Sequence, residues 1–167
     1  MGTREGNSQL ERFATGEYRA VVATVARLTG DHLGAADAVQ DAVLALLENP
    51  PRTPVDNLAA WITVVATNRA RDRQRRRLAE GRALDRLSPI PEVFDAYKSI
   101  DRDVVAALES LPFRQRQICI LHYVLDESVE SIAARLAVSS GAVKTHLFRG
   151  RRALAARLAG LDLVAAA

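Results

Sequence analysis

The stretch VESIAARLAVSSGAVKTHLFRGRRAL, from Val129 to Leu154, carries the residue types best suited to gripping a polyanion. On a helical wheel its second half places Val143, Leu147, Gly150, Leu154 and Leu158 on one side, with Lys144, Thr145, Phe148, Arg149 and Arg152 roughly opposite. Lysine and arginine donate to guanine edges and to phosphates, and a threonine hydroxyl serves either, so the free face suits the major groove of DNA. A second basic cluster, RARDRQRRR at Arg69 to Arg77, holds six arginines and one aspartate. Alone, such a run is equally well a solvated helix end favoured by the helix dipole. Two clusters about 70 residues apart instead predict nucleic-acid contact at two separated points, each arginine adding a salt-sensitive phosphate contact.

Catalytic chemistry finds no such support. His32, His122 and His146 lack metal-ligand spacing, no glycine-rich phosphate loop is present, and the lone carboxylates fall on helix faces that read as exposed. The expectation is a protein that is not an enzyme and needs no metal or cofactor. The single cysteine, Cys119, stands among Ile118, Ile120 and Leu121, which predicts a buried thiol in a reducing compartment. The N-terminus MGTREGNSQ is polar and no apolar run approaches the roughly 20 residues a membrane span needs, so a cytoplasmic protein is expected.

The elements that must position these side chains read as helices. Hydrophobic residues make up 49% of the chain and aromatics only 5%, so its cores must be built from aliphatic side chains, and no strand alternation is visible. Net charge is only +3, so placement of charge matters more than its sum. Helices are expected over Leu10 to Leu28, Ala35 to Glu48 and Asn57 to Arg77, with Gly30 and the segment NPPRTP as breakers. Residues 78–100 lose the period and contain Gly81, Ser88, Pro89 and Pro91, the composition of a linker. Helices resume over Asp101 to Ser110 and Arg114 to Leu125. Two short ones then flank the turn Ala137-Val138-Ser139: Ile132, Ala133 and Leu136 form the buried stripe of the first, Val138 plugs the turn, and Ser139 or Ser140 caps the second. That is a helix-turn-helix.

The helix AADAVQDAVLALLE gathers Asp37, Gln40, Asp41, Leu44 and Glu48 in one arc, with Ala36, Val39, Val43, Leu46 and Leu47 on the side expected to face the core. An acidic arc with a leucine at its centre suits a basic helical partner, the charges contributing orientation and rate. In LAAWITVVATNRARDRQRRR, Leu58, Trp61, Ile62 and Val65 form a stripe that Asn68 and Asp72 extend. Trp61 reads as core. Asn68 can bond a backbone or read a base, and Asp72 can hold a neighbouring arginine.

These segments resemble a family. Ala36-Asp37-Ala38-Val39-Gln40-Asp41 is similar to the AEDVVQE motif of bacterial extracytoplasmic-function (ECF) sigma factors, small alternative sigma-70 subunits of RNA polymerase. Ala60-Trp61-Ile62 with Val65 to Asp72 resembles their next motif, and Leu108 to Pro112 followed by Arg114, Gln115 and Arg116 resembles the opening of their region 4. The resemblance implies an all-α chain of two small domains: a region 2 helical bundle at 8–77, a linker at 78–100 and a region 4 helix-turn-helix at 101–160.

It also implies a function, that of an alternative sigma factor binding core RNA polymerase and directing it to promoter DNA. Carried over by position, Asp37, Gln40, Asp41 and Leu44 would contact the polymerase. Asn68, with the loop from Asn49 to Asn57, would form a pocket for a flipped base of the minus-10 element, and Arg69, Arg71, Arg73, Arg75 and Arg76 would hold the adjoining backbone. Lys144, Thr145, Phe148, Arg149 and Arg152 would meet the minus-35 element. An anti-sigma factor is a further implied partner. The small apolar ending at Ala166 and Ala167 resembles tails taken by ATP-dependent proteases. VSSGAVKTHL also resembles the recognition helix of LuxR-type activators, which leaves a stand-alone regulator as the alternative.

Overall fold

Alanine, valine and threonine line the seams of the N-terminal helices, and their small size sets how closely those helices pack. The computed structural model describes residues 2–81 and 102–165. The chain divides into two compact units, Met1–Ala96 and Tyr97–Ala167, and the described residues are helices joined by turns and loops, with no strand among them.

In the first unit α1 (Gly2–Arg12) widens into a π-helical turn (Phe13–Glu17) and continues as α2 (Tyr18–Thr29). A single helix from Leu10 to Leu28 was expected; the observed run begins earlier and carries the wide turn within it. That turn lets Phe13 enter the core with Tyr18 edge-on at 6.2 Å. Gly30 ends α2 at φ 72°, the left-handed cap that glycine adopts without strain. α3 (Ala35–Glu48) and α4 (Leu58–Ala79) follow, and Asn57 caps α4 by accepting the Ala60 N–H on Oδ1 at 3.0 Å.

Two expected faces are corrected. Of the α3 side expected to be core only Val39 is fully buried; Ala36, Val43 and Leu46 are half-buried and Leu47 is 59% exposed. Ala35, Ala38 and Ala42 take their place. α4, which packs against α3, buries Ala59, Ala60, Ala66 and Ala70, so short side chains on both helices permit a close approach that large aliphatics would prevent. On α4, Leu58 and Ile62 are buried as expected, but Trp61 and Val65 are half-buried. With exposed Asn68 and Asp72 they form an outward edge.

The second unit holds α5 (Arg102–Glu109), α6 (Phe113–Tyr123), α7 (Val129–Leu136) and α8 (Ser140–Ala165). Ser128 Oγ accepts the Ser131 N–H at 3.0 Å and Ser139 Oγ the Ala142 N–H at 3.1 Å, so each helix of the expected helix-turn-helix has a serine cap. Ala137, between them, takes φ 52°. Leu111, Ile118, Leu121, Ile132, Val143 and Leu147 make the core. Glu127 is buried with them and accepts Arg135 Nε and Nη2 at 2.9 and 3.0 Å, a two-point bond that ties the loop before α7 to that helix's last turn. Most of the expected linker lies outside the described residues, as do Ala166 and Ala167.

Candidate functional site

Burial of Val143, Leu147 and Gly150 holds α8 against the rest of its unit and points its opposite side outward. Lys144, Thr145, Phe148, Arg149 and Arg152 are all exposed there, as the wheel predicted. The Arg152 guanidinium carbon stands 5.8 Å from the centre of the Phe148 ring, close enough for the ring to steady the cation. Thr145 Oγ1 donates to the Gly141 carbonyl at 2.9 Å, which commits its proton to the helix and leaves its oxygen to accept from a base amino group. His146, which the sequence reading did not place at the site, is half-buried on the same turn with a buried Nδ1 that has no hydrogen-bond partner among the described residues.

In the first unit the arginine run of α4 splits. Arg69 and Arg76 are exposed, and Arg75 is 71% exposed with Asp72 Oδ1 at 3.6 Å, the neighbouring carboxylate expected to hold an arginine. Arg71 is half-buried. Arg73 instead donates through Nη1 to Asp41 Oδ2 at 3.1 Å, so two side chains expected to serve different partners meet each other. Along α3, Asp37, Gln40 and Leu44 are exposed in one stripe, with Leu44 53% open to solvent. Leu47, three residues on, continues that stripe; its spacing from Leu44 was the signal that could have found it.

The loop from Asn49 to Asn57 lines a cleft. Pro51 and Val55 from the loop, Gln9 and Leu10 from α1, and Leu46 and Leu47 from α3 line a hollow of about 370 Å³. Gln9 Nε2 fastens the loop by donating to the Val55 carbonyl at 2.9 Å. Asn68 does not line this hollow. It lies ten residues along α4 from Leu58, or about 15 Å at the helical rise.

Two ionisable groups of the second unit are shifted by burial. The Cys119 thiol is pushed up by loss of solvent, which the positive charge of Arg151 only partly offsets. Arg116 is pushed down by burial against the opposing pull of Glu109, whose carbonyl accepts Arg116 Nη1 at 2.7 Å. Among the described residues no group of His, Cys, Asp or Glu side chains could hold a metal ion, and no helix is long and apolar enough to cross a membrane.

A capped helix-turn-helix with an exposed basic face in one unit, and a basic helix beside an acidic one in the other, is an arrangement found in DNA-binding transcription factors. The family model of Sigma-70 region 2 matches residues 14–80 and that of Sigma-70 region 4 matches residues 101–154. The ECF RNA polymerase sigma factor SigE of Mycolicibacterium smegmatis is 30% identical over 141 residues, covering 77% of this chain and 53% of that protein. The RNA polymerase sigma factor SigV of Bacillus subtilis is 30% identical over 135 residues, covering 77% of this chain and 78% of that protein. The chain therefore spans about half the length of the first and more than three quarters of the second. Among solved structures, the sigma factor RpoE in complex with the anti-sigma factor NepR, from Bartonella quintana, superposes with a TM-score of 0.70 at 26% identity, covering 91% of this chain and 96% of that one. CnrH, solved with the cytosolic domain of CnrY, shares the fold with a TM-score of 0.60 at 24% identity, covering 95% of this chain and 91% of that one.

The chain belongs to the sigma-70 family as an extracytoplasmic-function sigma factor, an alternative subunit of the kind that directs RNA polymerase to promoters. A match to region 2 over residues 14–80 leaves the stand-alone regulator without an account of the first unit.

Proposed function

We propose that the exposed stripe of α3 docks on core RNA polymerase while the basic sides of α4 and α8 hold promoter DNA. The carrying observation is the separation of surfaces: Asp37, Gln40 and Leu44 are open to solvent on α3, while Arg69, Arg75 and Arg76 are open on α4. Leucine at the middle of the acidic stripe supplies apolar contact, and the carboxylates steer a basic partner. Asn68, exposed on the outward edge of α4 with Arg69 and Arg71 beside it, meets the minus-10 element. Lys144, Thr145, Phe148, Arg149 and Arg152 meet the minus-35 element, with lysine and arginine supplying most of the phosphate affinity.

The protein works in the cytoplasm as a non-catalytic subunit. An anti-sigma factor covers one of these surfaces when the protein is idle, a partner supported by the likeness to RpoE, which was solved with NepR. A protease that takes the chain by Ala166 and Ala167 is a second control; replacing both with Asp should then lengthen the cellular half-life, and an unchanged half-life removes that control.

The test is gel filtration of the chain with sigma-free bacterial core polymerase, followed by run-off transcription from its own upstream region. Co-elution with a discrete transcript is expected. Retardation of that DNA by the chain alone, without binding to core, would overturn the docking assignment.

A further inference from the structure

Asp41 and Arg73 carry opposite assignments by position, one to polymerase and one to DNA, yet the fold joins them. Asp41 follows Gln40 on α3, but its carboxylate turns off the exposed stripe onto α4, where Oδ2 receives Arg73 Nη1 at 3.1 Å. Arg73 is 33% exposed, and its second terminal nitrogen is buried without a hydrogen-bond partner among the described residues. Its neighbours on that side of α4 behave alike. Gln74 Nε2 donates to the Thr29 carbonyl at 3.0 Å, and Arg77 Nη1 lies 4.0 Å from Asp31 Oδ2.

Residue 77 follows 73 by four positions and 74 by three, so it lies between them around the helix, and the end of the basic helix is stitched to α2, α3 and the turn between them along that side. With Nη1 held by a carboxylate and the other terminal nitrogen buried, this guanidinium has little left to offer a phosphate. A carboxylate whose Oδ2 is held on α4 has its orientation fixed by that bond, although its side chain is 43% exposed. Arg69 and Arg76 are exposed, with no such carboxylate among the described residues.

We infer that Asp41 and Arg73 are a positioning pair that touches neither polymerase nor DNA, and that their bond sets the register of the α3 docking stripe against the DNA-facing edge of α4. The inference rests on the proposed function, since it concerns how those two surfaces are held. Register matters because α3 and α4 must present their outer faces to two partners at once within one initiation complex. A pair this exposed gives a modest effect.

Charge exchange in the full chain is the test. Asp41→Arg and Arg73→Asp, made singly, should each weaken core binding and promoter binding by the holoenzyme about two- to fivefold, the scale of a partly exposed pair. The double exchange Asp41→Arg/Arg73→Asp should return both affinities to within about twofold of the unaltered chain, because the bond is remade in reverse. Recovery of the melting temperature without recovery of core binding would make Asp41 a polymerase contact and overturn the inference. So would recovery of the melting temperature with lost promoter binding, which would make Arg73 a DNA contact.

If the exchanged chain does not fold, Asp41→Asn keeps an acceptor for Arg73 Nη1 and tests core binding, and Arg73→Gln removes the cation and tests the salt dependence of promoter binding. Unchanged core binding and an unchanged slope of log affinity against log salt are then expected. A slope reduced by about 0.9, one phosphate contact fewer, overturns the inference. Failure of the unaltered chain to bind core would remove the sigma assignment itself, a result read in the same experiment before any variant is compared.

Discussion

Gly150 of α8 passes so close to Cys119 of α6 that a Cβ at residue 150 would stand 2.5 Å from the thiol sulfur, with Leu111 Cδ1 at 3.9 Å. The glycine is there for proximity, since its backbone is ordinary helix. The contact seats α8 on the unit's core, and it ties the position of the basic face to a buried thiol.

Gly150→Ala should therefore destabilise the second unit by about 1–3 kcal/mol through overpacking, against the roughly 1 kcal/mol that alanine normally adds to a helix interior. Urea unfolding measures it. Cys119→Ala in the same chain should recover most of the loss, because the two residues share one space; additive losses would place the strain elsewhere.

Burial of the Cys119 thiol has a pH consequence. Its folded pKa is raised, so the protonated thiol contributes stability that is fully present below the unfolded value, about 8.5, and is lost as pH rises through the folded value. Denaturation midpoints should fall across that alkaline window in the natural chain and fall less with Cys119→Ala. Alkylation of the native protein near neutral pH should be slow.

The Glu127 and Arg135 side chains are 3% and 16% exposed, so removing one charge strands the other. Glu127→Gln should cost about 3 kcal/mol, the lower end for breaking a buried pair because Arg135 keeps some water. The double change Glu127→Leu/Arg135→Met should cost less than Glu127→Gln alone. Calorimetric melting separates the two cases.

Leu47 and Val39 occupy the same helix and should respond oppositely. Leu47→Arg should leave the melting temperature nearly unchanged, since the side chain is already in water, and should weaken association with core polymerase. Val39→Arg buries an unpaired cation and should unfold the first unit. Equal effects of the two on stability would contradict the face assignment of α3.

On the DNA side, Lys144→Ala should weaken promoter binding about equally across sequences and lower the salt slope by about one contact, leaving core association intact. Binding titrations at several salt concentrations test this.

Helical faces built from one kind of side chain were legible in the sequence. Val143, Leu147 and Gly150 recur at helical spacing, opposite Lys144, Thr145 and Arg149, and both sides were found where the wheel put them. A serine cap at 139 or 140 was legible because capping is local chemistry, and Ser139 satisfies it within three residues by accepting the Ala142 N–H. The burial of Cys119 followed from its aliphatic neighbours. The order of motifs along the chain was enough for the family and for an all-helical fold.

The face that α3 buries was decided by tertiary structure alone. Hydrophobicity favours Leu47 over Ala35 or Ala42 for the core, but the distance to α4 admits only the smaller side chains, and that distance is a property of the pair of helices. The meeting of Asp41 with Arg73 is of the same kind: 32 residues separate them, and no local pattern couples their charges. A sequence states what each side chain can do along its own helix, while packing decides which of its possible partners lies within reach.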